Sequence, residues 1–168
     1  LPLGPGLPAV SVVGYGGMHL SIQDRPPEAQ GIRVIHAGLD AGVTLIDTAN
    51  AYCLDAADTG HNERLIARAL REWRGARERV VVATKGRFKM GEGPNDEGVS
   101  RYHLLNAVEA SLRRLKTDHI DLYQIHGWDE ATPIPEMMRA LDDLVRAGKV
   151  RYIGASNFAA WQLCRSND

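Results

Sequence analysis

Five short apolar runs, rich in β-branched residues, alternate along this chain with amphipathic stretches. That alternation restricts the fold more than any other feature. The runs are LPAVSVVGYGG, TLIDTA, VVVATK, IDLYQIH and RYIGASN. Their spacing, roughly 30 to 40 residues, fits βαβ units. Strands apolar on both sides belong in a parallel sheet covered on both faces. Such a sheet is either open and doubly wound or part of a barrel.

The helices between the runs follow from 3.6-residue spacing. The first is predicted from Glu28 to Leu39, with Ile32, Ile35, His36 and Leu39 on one face and Gly42 as its stop. A second runs from about Asn62 to Trp73, burying Leu65, Ile66, Ala69, Leu70 and Trp73. Ser100 is the N-cap of a third, whose stripe is Leu104, Leu105, Val108, Leu112 and Leu115. Pro133 and Pro135 open a fourth, faced by Met137, Met138, Leu141, Leu144 and Val145 and ended by Gly148. FAAWQLCRSND begins a fifth. The stretch RFKMGEGPNDEGVS is a long, glycine-rich loop, and loops of that length are often functional.

Composition narrows the class of partner. The chain has 168 residues, a net charge of −1, 44% apolar and 24% charged residues, enough for one core and without the basic stripe of a nucleic-acid binder. No apolar run is long enough to span a membrane, and LPLGPGLPAV lacks the features of a signal peptide. Cys53 and Cys164 form no CxxC pair and no zinc spacing, so they predict two reduced thiols in a cytoplasmic protein and no metal site. No linker divides residues 1–168, which read as one domain. Nothing in the pattern specifies an oligomer.

The chemistry lies at the C-terminal ends of the runs. Asp47 ends one strand, with Tyr52 just beyond it; Lys85, His126 and the pair Ser156-Asn157 end the next three. In a parallel barrel these ends face one mouth, where catalytic groups gather. Adjacent strands lie about 4.8 Å apart, so Lys85 can meet Asp47, its natural counter-ion. A free tyrosine holds its proton tightly at neutral pH. A neighbouring cation favours the phenolate and would let Tyr52 act as a general acid. His126 weighs little alone; in phase with the others, it would donate to a substrate oxygen or assist the tyrosine. Ser156 and Asn157 either cap the next helix or hold the amide of a flat heterocycle. GYGG at 14–17 would let a ligand approach the backbone, but it is not the GxGxxG dinucleotide fingerprint.

These residues, with the stretches GYGGM, GVTLIDTANAY, VVVATKGRF, TDHIDLYQIHGWD and RAGKVRYIGASNF, resemble the aldo-keto reductases over nearly the whole chain. The resemblance implies a (β/α)8 TIM barrel, here incomplete, with about five parallel strands and the family's last three strands absent. It implies reversible reduction of a small aldehyde or ketone to an alcohol, with NADP(H) favoured over NAD(H). Carried over to this sequence, Tyr52 is the proton donor, Lys85 tunes it, Asp47 pairs with Lys85 and His126 orients the carbonyl. Ser156 and Asn157 would bind the nicotinamide carboxamide, and Gly17, Met18 and Asp47 would line the nicotinamide ribose. His19, Phe88 and Trp128 are the candidates for the substrate pocket. Cys53 stands where the family usually has glycine.

Two other readings stand beside this one. Some members of the family are regulatory subunits that bind the cofactor and turn over poorly. An unrelated barrel enzyme with Lys85 as a Schiff-base nucleophile is the other, and the pairing with Asp47 argues against it, because that lysine must lose its proton.

Overall fold

The computed structural model describes residues 2–4 and 8–167. Five parallel strands, each followed by a helix, run in chain order: β1 Tyr15–Gly16, α1 Glu28–Asp40, β2 Leu45–Asp47, α2 His61–Glu72, β3 Val81–Gly86, α3 Arg101–Leu115, β4 Ile120–Ile125, α4 Ile134–Arg146, β5 Val150–Ala155 and α5 Ala160–Asn167. The strand order is β1-β2-β3-β4-β5, with every pair parallel. A doubly wound sheet reverses its order at a switch point. This sheet does not reverse, so it is the wall of an incomplete (β/α) barrel.

Register fixes which residues share a face. Asp47 pairs with Ala83, Ala83 with Leu122, Lys85 with Gln124 and Leu122 with Tyr152. Alternation then sets Asp47, Lys85, Gln124 and His126 on one face. The other face packs under the helices, where Ile46, Val82, Tyr123 and Ile125 join Ile35, Ile66, Leu104 and Leu144 in the core. The predicted helical faces hold: Ile32, Ile35, Leu39, Leu65, Leu112, Met137 and Leu141 are buried. Ser100 caps α3 by accepting from the His103 N–H at 3.2 Å. Gly42 and Gly148 take the left-handed conformation (φ +95° and +71°) just past α1 and α4.

Three expectations need correction. Of the run LPAVSVVGYGG, only Tyr15 and Gly16 form a strand, and Val12 and Val13 are exposed; Leu7, at its start, lies outside the described residues. The physical reason is side-chain competition. Thr44 Oγ1 accepts from Ser11 N–H at 2.8 Å, and Ser11 Oγ accepts from Thr44 N–H at 2.9 Å, replacing a backbone ladder there. Trp73 also falls outside α2: its backbone is extended and its indole N–H donates to Asp40 at 2.8 Å. Val145 lies on the predicted face of α4 but is 37% exposed. No described helix is long and apolar enough to cross a membrane.

Candidate functional site

The Lys85 ammonium is the centre of the mouth. An ammonium has three protons and no lone pair, and a buried one needs an acceptor for each. Lys85 is 5% exposed and has three: Asp47 Oδ2 at 2.5 Å, the Thr48 carbonyl at 3.0 Å and Tyr52 Oη at 3.0 Å. Gln124 Nε2 donates to the other Asp47 oxygen at 3.1 Å, which fixes the plane of the carboxylate. The pairing expected between neighbouring strands is therefore present, and it is tied down from a third strand.

Local backbone bonds place Tyr52. Thr48 N–H donates to Ala83 O and Asn50 N–H to Lys85 O, so the segment leaving β2 stays on β3. Tyr52 O accepts from Asn62 N–H at the start of α2. The Asn62 side chain is fully buried and fully used: it accepts from the Thr48 hydroxyl at 2.6 Å and donates to Gly17 O at 2.7 Å and Ser21 Oγ at 2.6 Å. This explains Gly17, where a Cβ would lie 2.5 Å from Asn62 Oδ1. Its smallness serves the packing of Asn62, whereas a Cβ on Gly16 would meet nothing within 4 Å.

His126 closes the other side. Its ring stands edge-on to Tyr52, with centroids 5.6 Å apart, and to Phe88 at 4.6 Å. Burial, reinforced by the Lys85 charge and opposed by Asp47, pushes its pKa down to about 4, so the imidazole is neutral at pH 7. Nδ1 is buried without a partner among the described residues. A buried N–H lacking an acceptor is rarer than a buried lone pair lacking a donor, so the proton belongs on Nε2.

At the end of β5, Ser156 N–H donates to Ile125 O. Asn157 has φ +57° and its Nδ2 donates to His126 O at 2.9 Å and Ser156 Oγ at 3.0 Å. Of the two readings of this pair, the side-chain bonds run back to β4. Among the described residues, the amide oxygen of Asn157 and the hydroxyl proton of Ser156 have no partner, one acceptor beside one donor. That set matches the N–H and C=O of a carboxamide.

The pocket candidates divide. Phe88 is at the mouth against His126. The Trp128 ring contacts are with Phe158 and Trp161, so it belongs to an aromatic cluster under α5. His19 is exposed on a short 3-10 turn, and its side chain makes no hydrogen bond among the described residues; Met18, beside it, is 37% exposed. Cys53 is a half-buried free thiol whose pKa burial raises, and Cys164 is free and exposed. Among the described residues, no three His, Cys, Asp or Glu side chains are placed to hold a metal ion. One cavity of about 240 Å³, lined by Val82, Leu115 and Ile120, sits at the opposite ends of the strands, and another of about 630 Å³ has Gln124, Gly154 and Ala155 in its lining.

Sequence reasoning missed four participants. Gln124 could have been found from strand alternation, since it stands two positions before His126 and so on the same face. The Thr48 carbonyl and the Asn62 amide carry no such signal. Arg87, two residues past Lys85, sits within electrostatic reach of His126.

The pattern of the aldo/keto reductase family matches residues 12–167. An uncharacterized oxidoreductase of Bacillus subtilis, YrpG, is 41% identical over 161 residues, covering 94% of this chain and 48% of that protein. The 6-dehydroglucose reductase of Novosphingobium aromaticivorans is 40% identical, over 95% of this chain and 51% of its own length. A probable voltage-gated potassium channel subunit beta from rice is 34% identical, over 92% and 45%. The chain thus spans about half the length of the curated relatives it matches. A match across nearly all of the β/α wall, with relatives at this identity, makes the chain a member of the aldo/keto reductase family.

Proposed function

We propose that the protein carrying this chain reduces an aldehyde or ketone to an alcohol, reversibly, with Tyr52 as the proton donor. The observation that carries this is the Lys85–Tyr52 contact at 3.0 Å. Tyr52 Oη accepts a hydrogen bond from Lys85, so its own O–H is left to donate into the mouth. As that proton departs, the phenolate that forms already faces a cation held by Asp47 and Thr48 O. His126, neutral and protonated on Nε2, donates to the carbonyl oxygen and orients it. The same three acceptors engage all three Lys85 N–H groups, whereas a Schiff-base nucleophile must present a lone pair to the carbonyl.

A nicotinamide cofactor fits the residues present. Ser156 and Asn157 offer the donor–acceptor pair a carboxamide needs, and the half-open Asp47, with Gly17 and Met18, suits the ribose. Bound there, the cofactor would supply hydride to the carbonyl carbon. NADP(H) is favoured over NAD(H) on family grounds. The partner is a small carbonyl or alcohol substrate, met by Phe88 and, more remotely, His19 and Trp128.

A second reading, a cofactor-binding regulatory subunit, is favoured by the potassium channel relative. Fluorescence titration of the full-length protein with NADPH and NADH, then aldehyde-dependent cofactor oxidation, separates the two. Binding with turnover supports the reductase. Tight binding with negligible turnover across aldehydes supports the subunit. Binding of neither cofactor overturns both.

A further inference from the structure

Arg87 is a cation at the mouth that the proposed chemistry does not use. It directly follows β3, and its backbone is pinned at the base of the 87–99 loop, where Gly98 N–H donates to Arg87 O at 2.8 Å. Its stem packs against the residue after His126: a Cβ on Gly127 would lie 3.6 Å from Arg87 Cδ. Its Nε is buried with no partner, and its terminal nitrogens make no hydrogen bond or ion pair among the described residues. The guanidinium sits 5.4 Å from the centre of the Phe88 ring, which in turn meets His126.

The surrounding charges do not satisfy it. Lys85 is neutralised by Asp47. His126 is neutral at pH 7. Asp129 feels the Arg87 field, but its oxygens accept from Val99 N–H, Ala131 N–H and the Thr132 hydroxyl, and it forms no ion pair with Arg87. An arginine head presents a planar fork suited to an oxyanion. A guanidinium held this way, unpaired among the described residues and close enough to His126 to act on it electrostatically, can attract a negative charge entering the mouth.

We propose that Arg87 is a specificity residue that binds a carboxylate on the carbonyl substrate, with Phe88 covering the apolar part between that carboxylate and the carbonyl. The proposal rests on the reductase reading and is tested so that the two can fail separately. The full-length protein is assayed with 2-, 3- and 4-carboxybenzaldehyde and with their neutral methyl esters. At least one acid should be preferred over its ester, and Arg87→Met should reduce that preference by roughly 10- to 100-fold, the range of a charge-assisted hydrogen bond. Arg87→Lys should retain part of it, and rising salt should erode it in the wild type. An acid-to-ester ratio unchanged in Arg87→Met overturns the proposal. So does a weakened NADPH Kd with an unchanged ratio, which would assign the guanidinium to a cofactor phosphate. Should no aldehyde turn over, the reductase reading fails. Benzoate binding by calorimetry, with and without NADPH, then decides: loss of binding in Arg87→Met sustains the carboxylate site, and equal or absent binding in both proteins overturns it.

Discussion

Thr84 and Lys85 are neighbours on β3, yet they enter two different polar clusters on opposite faces of the same sheet. Each cluster holds an ion pair and a tyrosine. On the inner face, Lys85 pairs with Asp47 and touches Tyr52. On the helix side, Thr84 donates to Glu63 at 2.7 Å, Glu63 pairs with Arg114 at 2.5 Å, and Tyr123 lies fully buried nearby. The ingredients match, but the environments do not. Tyr52 is half-buried and faces a cation, whereas Tyr123 is sealed, has no hydrogen-bond partner among the described residues and faces the negative charge of Glu63. Burial first, and Glu63 second, raise the pKa of Tyr123 and lock its proton on. Access and the sign of the neighbouring charge separate a phenol poised to react from one that only fills space.

The sharpest way to break this comparison is to remove each reactive group in turn. Tyr52→Phe is expected to lower kcat by about 10²- to 10⁴-fold, the usual worth of a positioned general acid, while NADPH binding persists. Single-turnover kinetics beside a fluorescence titration would show this; turnover kept within a few-fold would move the proton donor elsewhere.

The two ion pairs should respond oppositely. Glu63 is 0% exposed, so Glu63→Ala strands Arg114 and the Thr84 hydroxyl and should cost about 3–5 kcal/mol of stability. Lys85→Met empties a cluster whose carboxylate is 37% exposed, so Asp47 can turn to water and the loss should be nearer about 1 kcal/mol. Turnover should rank the variants the other way, with Lys85→Met far the more damaged. Urea denaturation and kcat on the same preparations check both orders, and a Lys85→Met protein less stable than Glu63→Ala would reverse the assignment.

That contrast also marks what could be read from the sequence. Asp47, Lys85 and His126 were legible because each ends an apolar run, and strand alternation puts strand-end groups at one mouth. The helix-side cluster was not legible. Glu63 and Arg114 stand 51 residues apart on two helices and look like ordinary surface charges until packing brings them together. Gly17 was read as room for a ligand; the constraint comes from Asn62, which no local pattern links to it. The first strand failed for a related reason. Alternating valines signalled β structure, but side-chain bonds between Ser11 and Thr44 took the place of the ladder.

Acid titration sharpens the comparison on the inner face. The His126 pKa is near 6.5 in an unfolded chain and about 4 in the fold, so the unfolded state binds more protons in between. Stability from His126 is therefore complete above about pH 6.5 and is lost as pH falls through about 4, a swing of roughly 1–3 kcal/mol. His61, whose pKa is lowered chiefly by burial, slopes the same way, so the variant isolates the effect. His126→Gln should flatten the decline in urea midpoint between pH 7 and pH 4; an unchanged decline would assign it to other groups.

The smallest effect belongs to Tyr123. Its hydroxyl occupies the space that Gly86 leaves, since a Cβ there would lie 2.1 Å from Tyr123 Oη and 3.5 Å from Asn50 Nδ2. Deleting the oxygen opens only a small void and removes an unpaired buried polar group, and these two contributions oppose each other. Tyr123→Phe should therefore change stability by less than about 1 kcal/mol, of either sign, and leave kcat unaltered. Asn50 makes the outcome informative, because both of its side-chain amide atoms are also buried without a partner among the described residues. A loss above about 2 kcal/mol would mean that the two side chains share an ordered water, which the hydroxyl anchors. The helix-side cluster would then be as fully bonded as the inner one, and only the charge facing each tyrosine would still distinguish them.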